Sequence, residues 1–186
     1  MKRGLLLATA MLLGASLTFG QAGAIGTYAD PLGLDCNVTG SIGSVLSIFV
    51  VHTLTPGATA SRFRASAPLC MLTTGSVHLS DTVVFPVTVG SSQTGVAIGY
   101  GACLAGPIHV LTINYMSGAT PFCCEYTVQA DPGSVSGQIE VDLCSGQLAF
   151  GVGLTHTVNG TIACPCSVPV PVEAMSWGRV KAMYVE

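Results

Sequence analysis

Basic residues are almost missing from this chain of 186 residues: it has six Lys and Arg in all, and none lies between Arg64 and Arg179. Nucleic-acid binding needs a basic footprint that neutralises phosphates, so that class of partner is excluded. Attraction to an anionic membrane surface through a polybasic patch is excluded on the same ground. Tryptophan is as scarce, with Trp177 alone, which leaves little flat aromatic surface for stacking against a ligand.

Catalytic signatures are missing too. The nearest approach to a Gly-x-Ser-x-Gly elbow, Gly133-Ser134-Val135-Ser136-Gly137, carries Val where the nucleophile belongs. There is no His-Glu-x-x-His, no phosphate-binding Gly-x-x-x-x-Gly-Lys and no calcium loop of alternating Asp. His52, His78, His109 and His156 are scattered singly, so each reads as a strand or surface residue before it reads as a ligand. Cys-x-x-Cys is absent, and no thioredoxin-like βαβ pattern accompanies the cysteines, which argues against a redox pair. Cys164-Pro165-Cys166 together with the adjacent Cys123-Cys124 does not match zinc-knuckle spacing. The sequence therefore predicts no catalytic residue, no metal site and no cofactor.

What is present begins with an export signal. Lys2 and Arg3 precede an uncharged apolar run, Leu5 to Phe19, and Ala22-Gly23-Ala24 supplies a small-x-small cleavage pattern. The run is shorter than the roughly 20 residues that span a bilayer. The expected products are a signal peptide over 1–24, cleaved after Ala24, and a secreted or periplasmic mature chain without a transmembrane anchor. No small residue precedes Cys36 in Leu32-Gly33-Leu34-Asp35-Cys36, so a lipid anchor is not expected. Loss of Lys2 and Arg3 leaves four basic residues against nine acidic ones, a net charge of about −5. So few charges on an exported surface permit close packing against other molecules.

All eight cysteines, Cys36, Cys70, Cys103, Cys123, Cys124, Cys144, Cys164 and Cys166, follow the leader. In an exported chain an even set reads first as disulfides. The turn residues Thr55-Pro56-Gly57-Ala58 read as a hairpin between Val45–His52 and Ala60–Ala65. That hairpin would bring Cys36 to Cys70. Face alternation places Cys124 with Tyr126 and Val128 on a core side and Cys123 with Glu125 and Thr127 on a wet side. The doublet is thus expected to have two different partners, with Cys103 the candidate for Cys124. Cys123 and Cys144 would then be shared with Cys164 and Cys166. A vicinal Cys123–Cys124 bridge is the outside alternative.

Further strands are expected at Ser76–Leu79, Thr82–Val89, Val96–Tyr100, Ile108–Met116, Cys124–Ala130, Ile139–Leu143, Leu148–Val152 and Asn159–Ala163, separated by Gly, Pro, Ser and Asp clusters. Pro86 marks an edge or a bulge. The fold class is all-β, an antiparallel β-sandwich of about 8 to 10 strands over 25–172. A tail or short helix follows over 173–186, capped by Ser176, with Trp177, Val180 and Tyr184 on one face. So short a helix is unstable alone in water, so it is expected to dock. Asn37-Val38-Thr39 and Asn159-Gly160-Thr161 fit the glycosylation pattern, and the bacterial look of the leader predicts both bare.

The ending from Pro171 to Tyr184 (PVEAMSWGRVKAMY) resembles a tail, Val-Glu-x-x-Thr-Trp-Gly-x-Ile-Lys-x-Leu-Tyr, of uncharacterised exported bacterial β-rich proteins. The order of signal peptide, Ile25 to Asp30, strand-rich body, cysteine doublet and Cys-x-Cys is similar to theirs. The resemblance implies an exported β-domain and supplies no activity or site residue.

The function expected is therefore a structural or interaction domain at the cell exterior, not an enzyme, with a protein partner or self-association and an unspecified ligand. A self-assembling surface or filament subunit is the first alternative. The second is a secreted hydrolase using Glu140 and Asp142, two apart on one strand face, with Glu125 or a histidine converging on them. A glycosidase would set its two carboxylates about 5 to 9.5 Å apart. The competing reading of that pair is a solvated outer face opposite Ile139, Val141 and Leu143.

Overall fold

Period-two burial builds the interior. Leu46, Ile48 and Val50 alternate inward with Ser47 and Phe49, and Val96, Ile98 and Tyr100 do the same in a second run. Ile139 and Val141 turn in while Glu140 and Asp142 turn out. Each such Val, Ile or Leu gains about 1.5 to 3 kcal/mol by leaving water, before the entropy of ordering is counted.

The computed structural model describes residues 22–166. Its strands are β1 (Ala24–Tyr28), β2 (Asn37–Val38), β3 (Val45–Thr53), β4 (Ala58–Phe63), β5 (Val77–Thr82) and β6 (Val87–Ser91), then β7 (Gly95–Leu104), β8 (Ile108–Met116), β9 (Cys124–Thr127), β10 (Ile139–Leu143), β11 (Leu148–Gly153) and β12 (Thr155–Val158). A single helical turn, α1 (Leu69–Leu72), lies between β4 and β5. Nine strands form one sheet in the order β5-β8-β3-β1-β11-β10-β4-β7-β6, and β2-β12-β9 form a small second sheet. The large sheet rolls until its edges approach: Asp81 on β5 accepts from the Ser92 amide and hydroxyl, each at 2.7 Å, just past β6. The all-β class is as the sequence implies. The layers are a nearly closed sheet, and β1–β11 and β12–β2 pair in parallel, so the fold is not wholly antiparallel.

The expected hairpin at Pro56-Gly57 is not formed. β3 pairs with β1 and β8, whereas β4 pairs with β7 and β10. Leu54, at φ 57°, and the Pro-Gly pair instead carry the chain as an arch between distant parts of the sheet. Pro and Gly here bend the chain without closing a turn, and bending does not choose the strand's neighbours. Pro86 lies between β5 and β6, and β6 is an edge strand, as a missing amide donor requires.

Four disulfides follow from this topology: Cys36–Cys166, Cys70–Cys124, Cys103–Cys144 and Cys123–Cys164. Cys36 does not meet Cys70, because the hairpin that would have joined them is absent. Cys103 does not meet Cys124, since β7 lies beside β4 while β9 belongs to the small sheet. Cys144 is likewise not shared with the C-terminal pair. The doublet does part its sulfurs. Cys124 is buried on β9 and bonds Cys70, while Cys123, at φ 61° just before the strand, bonds Cys164. The set fits an oxidising compartment.

The boundary expected after Ala24 falls at the first residue of β1, and Ala22 is itself buried. The rest of the leader, and the tail with Trp177, Val180 and Tyr184, lie outside the described residues. No helix among the described residues is long and apolar enough to cross a membrane.

Candidate functional site

The outer face of β11-β10-β4-β7-β6 carries a cleft of about 340 Å³. Its floor is made of the small residues Ala60, Gly99 and Ala97, with Ala60 opposite Gly99 and Ala97 opposite the longer Arg62. On one side stand Val87 and Val89 of β6, 57% and 67% exposed, in register with Gly99 and Ala97. On the other side Asp142 and Glu140 of β10 are followed by Leu148 and Phe150 of β11. Small residues at the centre and exposed β-branched residues at the rim make a depression without any gap in the core. The buried side chains of the same strands, Ser61, Ile98 and Val141, face the other way.

Both ends of the cleft are pinned. At one end the Cys103–Cys144 bridge joins β7 to the residue after β10, passing over the entry to β4. Gly57 makes room for it: a Cβ there would stand 2.8 Å from the Cys144 sulfur. At the other end Arg62 Nε contacts Asp131 at 2.8 Å and Arg62 Nη1 contacts Glu140 at 3.6 Å. The Gly133 amide donates to Asp131, and the Ser134 and Ser136 hydroxyls donate to Glu140 at 2.7 and 3.1 Å. Burial pushes the Asp131 carboxyl up, but the Arg62 and Gly133 hydrogen bonds and the two neighbouring arginine charges outweigh it and hold it below its ordinary value.

This geometry keeps Glu140 and Asp142 on one wall but engages Glu140 with other groups and leaves Glu125 elsewhere. Glu140 is occupied by Arg62 and two hydroxyls, Asp142 is exposed beside it, and Glu125 lies on β9 in the other sheet. His52 and His156 are buried. Burial lowers the affinity of each for a proton, against the opposing pull of its bond to the Ala22 or Thr27 carbonyl. Near the sheet seam, His78 and Ser92 both bond Asp81 Oδ1, at 3.0 and 2.7 Å. The carboxylate stands between them, so the histidine is not placed to take a serine proton. No group of His, Cys, Asp or Glu among the described residues could hold a metal ion.

The two glycosylation-pattern asparagines are used internally. Asn37 Oδ1 accepts from the Gly160 amide at 2.9 Å, and Asn159 bonds Gly40 and the Thr120 carbonyl. Sequence reading identified Glu140 and Asp142 as outer-face residues but missed the cleft. Ala60, Ala97, Gly99, Val87 and Val89 are ordinary strand residues, and only the strand order makes them neighbours.

No family model matches the chain, and no curated protein matches it. Among solved structures it is similar to a cohesin module from a family 33 glycoside hydrolase of Clostridium perfringens, at 7% identity and a TM-score of 0.48, over 76% of this chain and 99% of the module. It is also similar to a non-cellulosomal cohesin from Archaeoglobus fulgidus, at 11% identity and a TM-score of 0.48, over 73% and 89% of the two chains. A type I cohesin–dockerin complex from Clostridium thermocellum contains a chain similar at 10% identity and a TM-score of 0.42, over 73% and 99%. No residue role passes from these structures to this chain.

Proposed function

We propose that this chain is an exported, non-catalytic interaction domain whose binding face is the β11-β10-β4-β7-β6 cleft. The observation that carries the reading is the exposed apolar rim, Val87, Val89 and Leu148, around a small-residue floor held rigid at both ends. A rigid apolar depression loses little entropy on binding and gains from the area it buries. The polar edge at Arg62, Glu140 and Asp142 gives orientation, as polar rims do. The engagement of Glu140 by Arg62, Ser134 and Ser136 supports the non-catalytic reading. The four disulfides and the leader-like first 24 residues support export.

The test is binding of labelled, oxidised full-length protein to the outer surface of the cells that produce it. Val87→Glu with Val89→Glu is expected to lower binding at least tenfold, because covering two exposed valines on binding is worth more than the 1.4 kcal/mol that a factor of ten represents. Binding unchanged by that pair of substitutions contradicts the reading.

A further inference from the structure

We infer that the cleft is occupied, within the same chain, by the C-terminal segment that follows Cys166, with Trp177 seated on the Ala60-Ala97-Gly99 floor. The inference rests on the cleft being the binding face, and it names an occupant. Three observations point to this segment.

The first is reach. Cys166 is tethered to Cys36 and packs with Phe49 and Leu154 around Tyr28 and Val51, a cluster apart from the main core. Phe49 and Val51 alternate with the core residues Ile48 and Val50, so Cys166 lies on the outer face of the large sheet, the face that bears the cleft. From β3 to β4 is four strand spacings, about 20 Å, and from Leu154 back to Leu148 is about 20 Å along the strand, a diagonal of about 28 Å. The ten residues from Cys166 to Ser176 can span about 33 Å.

The second is charge. The described residues hold seven carboxylates and two arginines. Arg62 is committed to Asp131 and Glu140, and Arg64 to Gln129. Asp142, on the cleft wall, is one of four carboxylates, with Asp30, Asp35 and Glu125, that have no ion-pair partner among the described residues, and it is the one that lies in the cleft. Beyond the leader, the remaining Lys and Arg are Arg179 and Lys181, both beside Trp177 in sequence. The third is apolar complementarity: Trp177, Val180 and Tyr184 share one face at helical spacing, and Val87, Val89 and Leu148 offer the exposed apolar rim to receive it. A partner that uses this face must displace the tail.

Trp177 is the chain's single tryptophan, so its fluorescence reports on the tail alone. In the oxidised full-length protein the emission is expected to be blue-shifted relative to the urea-unfolded chain, independent of protein concentration, and shielded from acrylamide. Val89→Glu and, separately, Asp142→Lys are each expected to shift it red and raise quenching several-fold, with the β-sheet circular dichroism and the disulfide mass unchanged. Both positions are exposed, so neither substitution removes core packing. Emission as red as in urea overturns the inference. So does a blue shift that neither substitution alters, which would place the tail elsewhere. A blue shift that grows with protein concentration also overturns it, because the occupant would then be a second copy. Cell-surface binding that persists while the tail proves undocked would leave the binding-face reading standing and remove only the occupant.

Discussion

Fully buried on β3, the His52 ring reaches the Ala22 carbonyl through Nε2 at 2.6 Å, and its Nδ1 lies 3.2 Å from the Tyr100 hydroxyl. A carbonyl only accepts, so Nε2 carries the hydrogen. Tyr100 in turn contacts Ser61 Oγ at 2.7 Å, which makes a polar chain through the interior from the N-terminal segment to β4. Ala22 thus belongs to the fold. The Gly23 carbonyl adds a bond from the Val152 amide at 3.1 Å.

This relationship makes the processing position measurable. A chain beginning at Ile25 leaves the His52 N–H without its Ala22 acceptor and loses the packing of Ala22 and Ala24. It is expected to be less stable than a chain beginning at Gln21 by about 2 kcal/mol or more. Urea unfolding of the two oxidised proteins checks this. Intact mass of the exported protein is expected to place its first residue at Ala22 or upstream of it, and a first residue at Ile25 would count against this account.

Acid should destabilise the domain in a defined window. His52 and His156 are held neutral by burial, below their ordinary values, so between the folded value and an unfolded value of about 6.5 the unfolded chain binds more protons. Their contribution is whole above about pH 7 and is lost as pH falls through the folded values. Asp131, lowered in the folded state, loses its contribution only at lower pH, below about 4. Melting temperature against pH is expected to stay level above 7 and decline from about 6.5 downward. His156→Gln is expected to flatten that first decline, and an unchanged slope would count against it.

Removing the clamp at the cleft's end has a larger cost. Cys103 and Cys144 are 41 residues apart, and chain entropy gives such a bridge about 4 kcal/mol. Cys103→Ser with Cys144→Ser is expected to lower stability by about that amount in denaturant titration. Hydrogen exchange should rise most in β4, β7 and β10. Uniform exchange across the molecule would place the bridge's effect wholly in the unfolded chain.

Peptide mapping of the oxidised protein tests the branch at the doublet. Cys70 is expected joined to Cys124 and Cys123 to Cys164. A vicinal Cys123–Cys124 bridge would contradict the topology, since it leaves the small sheet unattached to α1.

The strands themselves were legible where side chains alternate strongly. Ile108–Met116 and Ile139–Leu143 are the same in sequence and structure, and Cys124, Tyr126 and Val128 turn inward as their alternation requires. What escaped was long-range. Cys36 bonds a partner 130 residues away, and no local spacing encodes that. Ala24 read as the end of a leader, and Ile25–Tyr28, short and containing Gly26, was not expected to be a strand, yet the pairing of Ala24–Tyr28 with β3 and β11 makes it a central one. β12 at Thr155–Val158 came four residues earlier than the expected Asn159–Ala163, because the pairing with β9 and β2, not local composition, selects Thr155 onward. The cleft was hidden for the same reason: Ala97 and Val89 signal nothing until β4, β7 and β6 lie side by side.

The most direct measurement of the binding face is photo-cross-linking from the exported protein on its producing cells. A photoreactive residue is placed at Val89 or Leu148 in the cleft, or at Ser80 or Asn114 on the β5-β8 face as control. The account predicts adducts larger than the monomer from Val89 and Leu148, and none above background from Ser80 and Asn114. Equal yields from the two faces, or adducts only from the control positions, would contradict it.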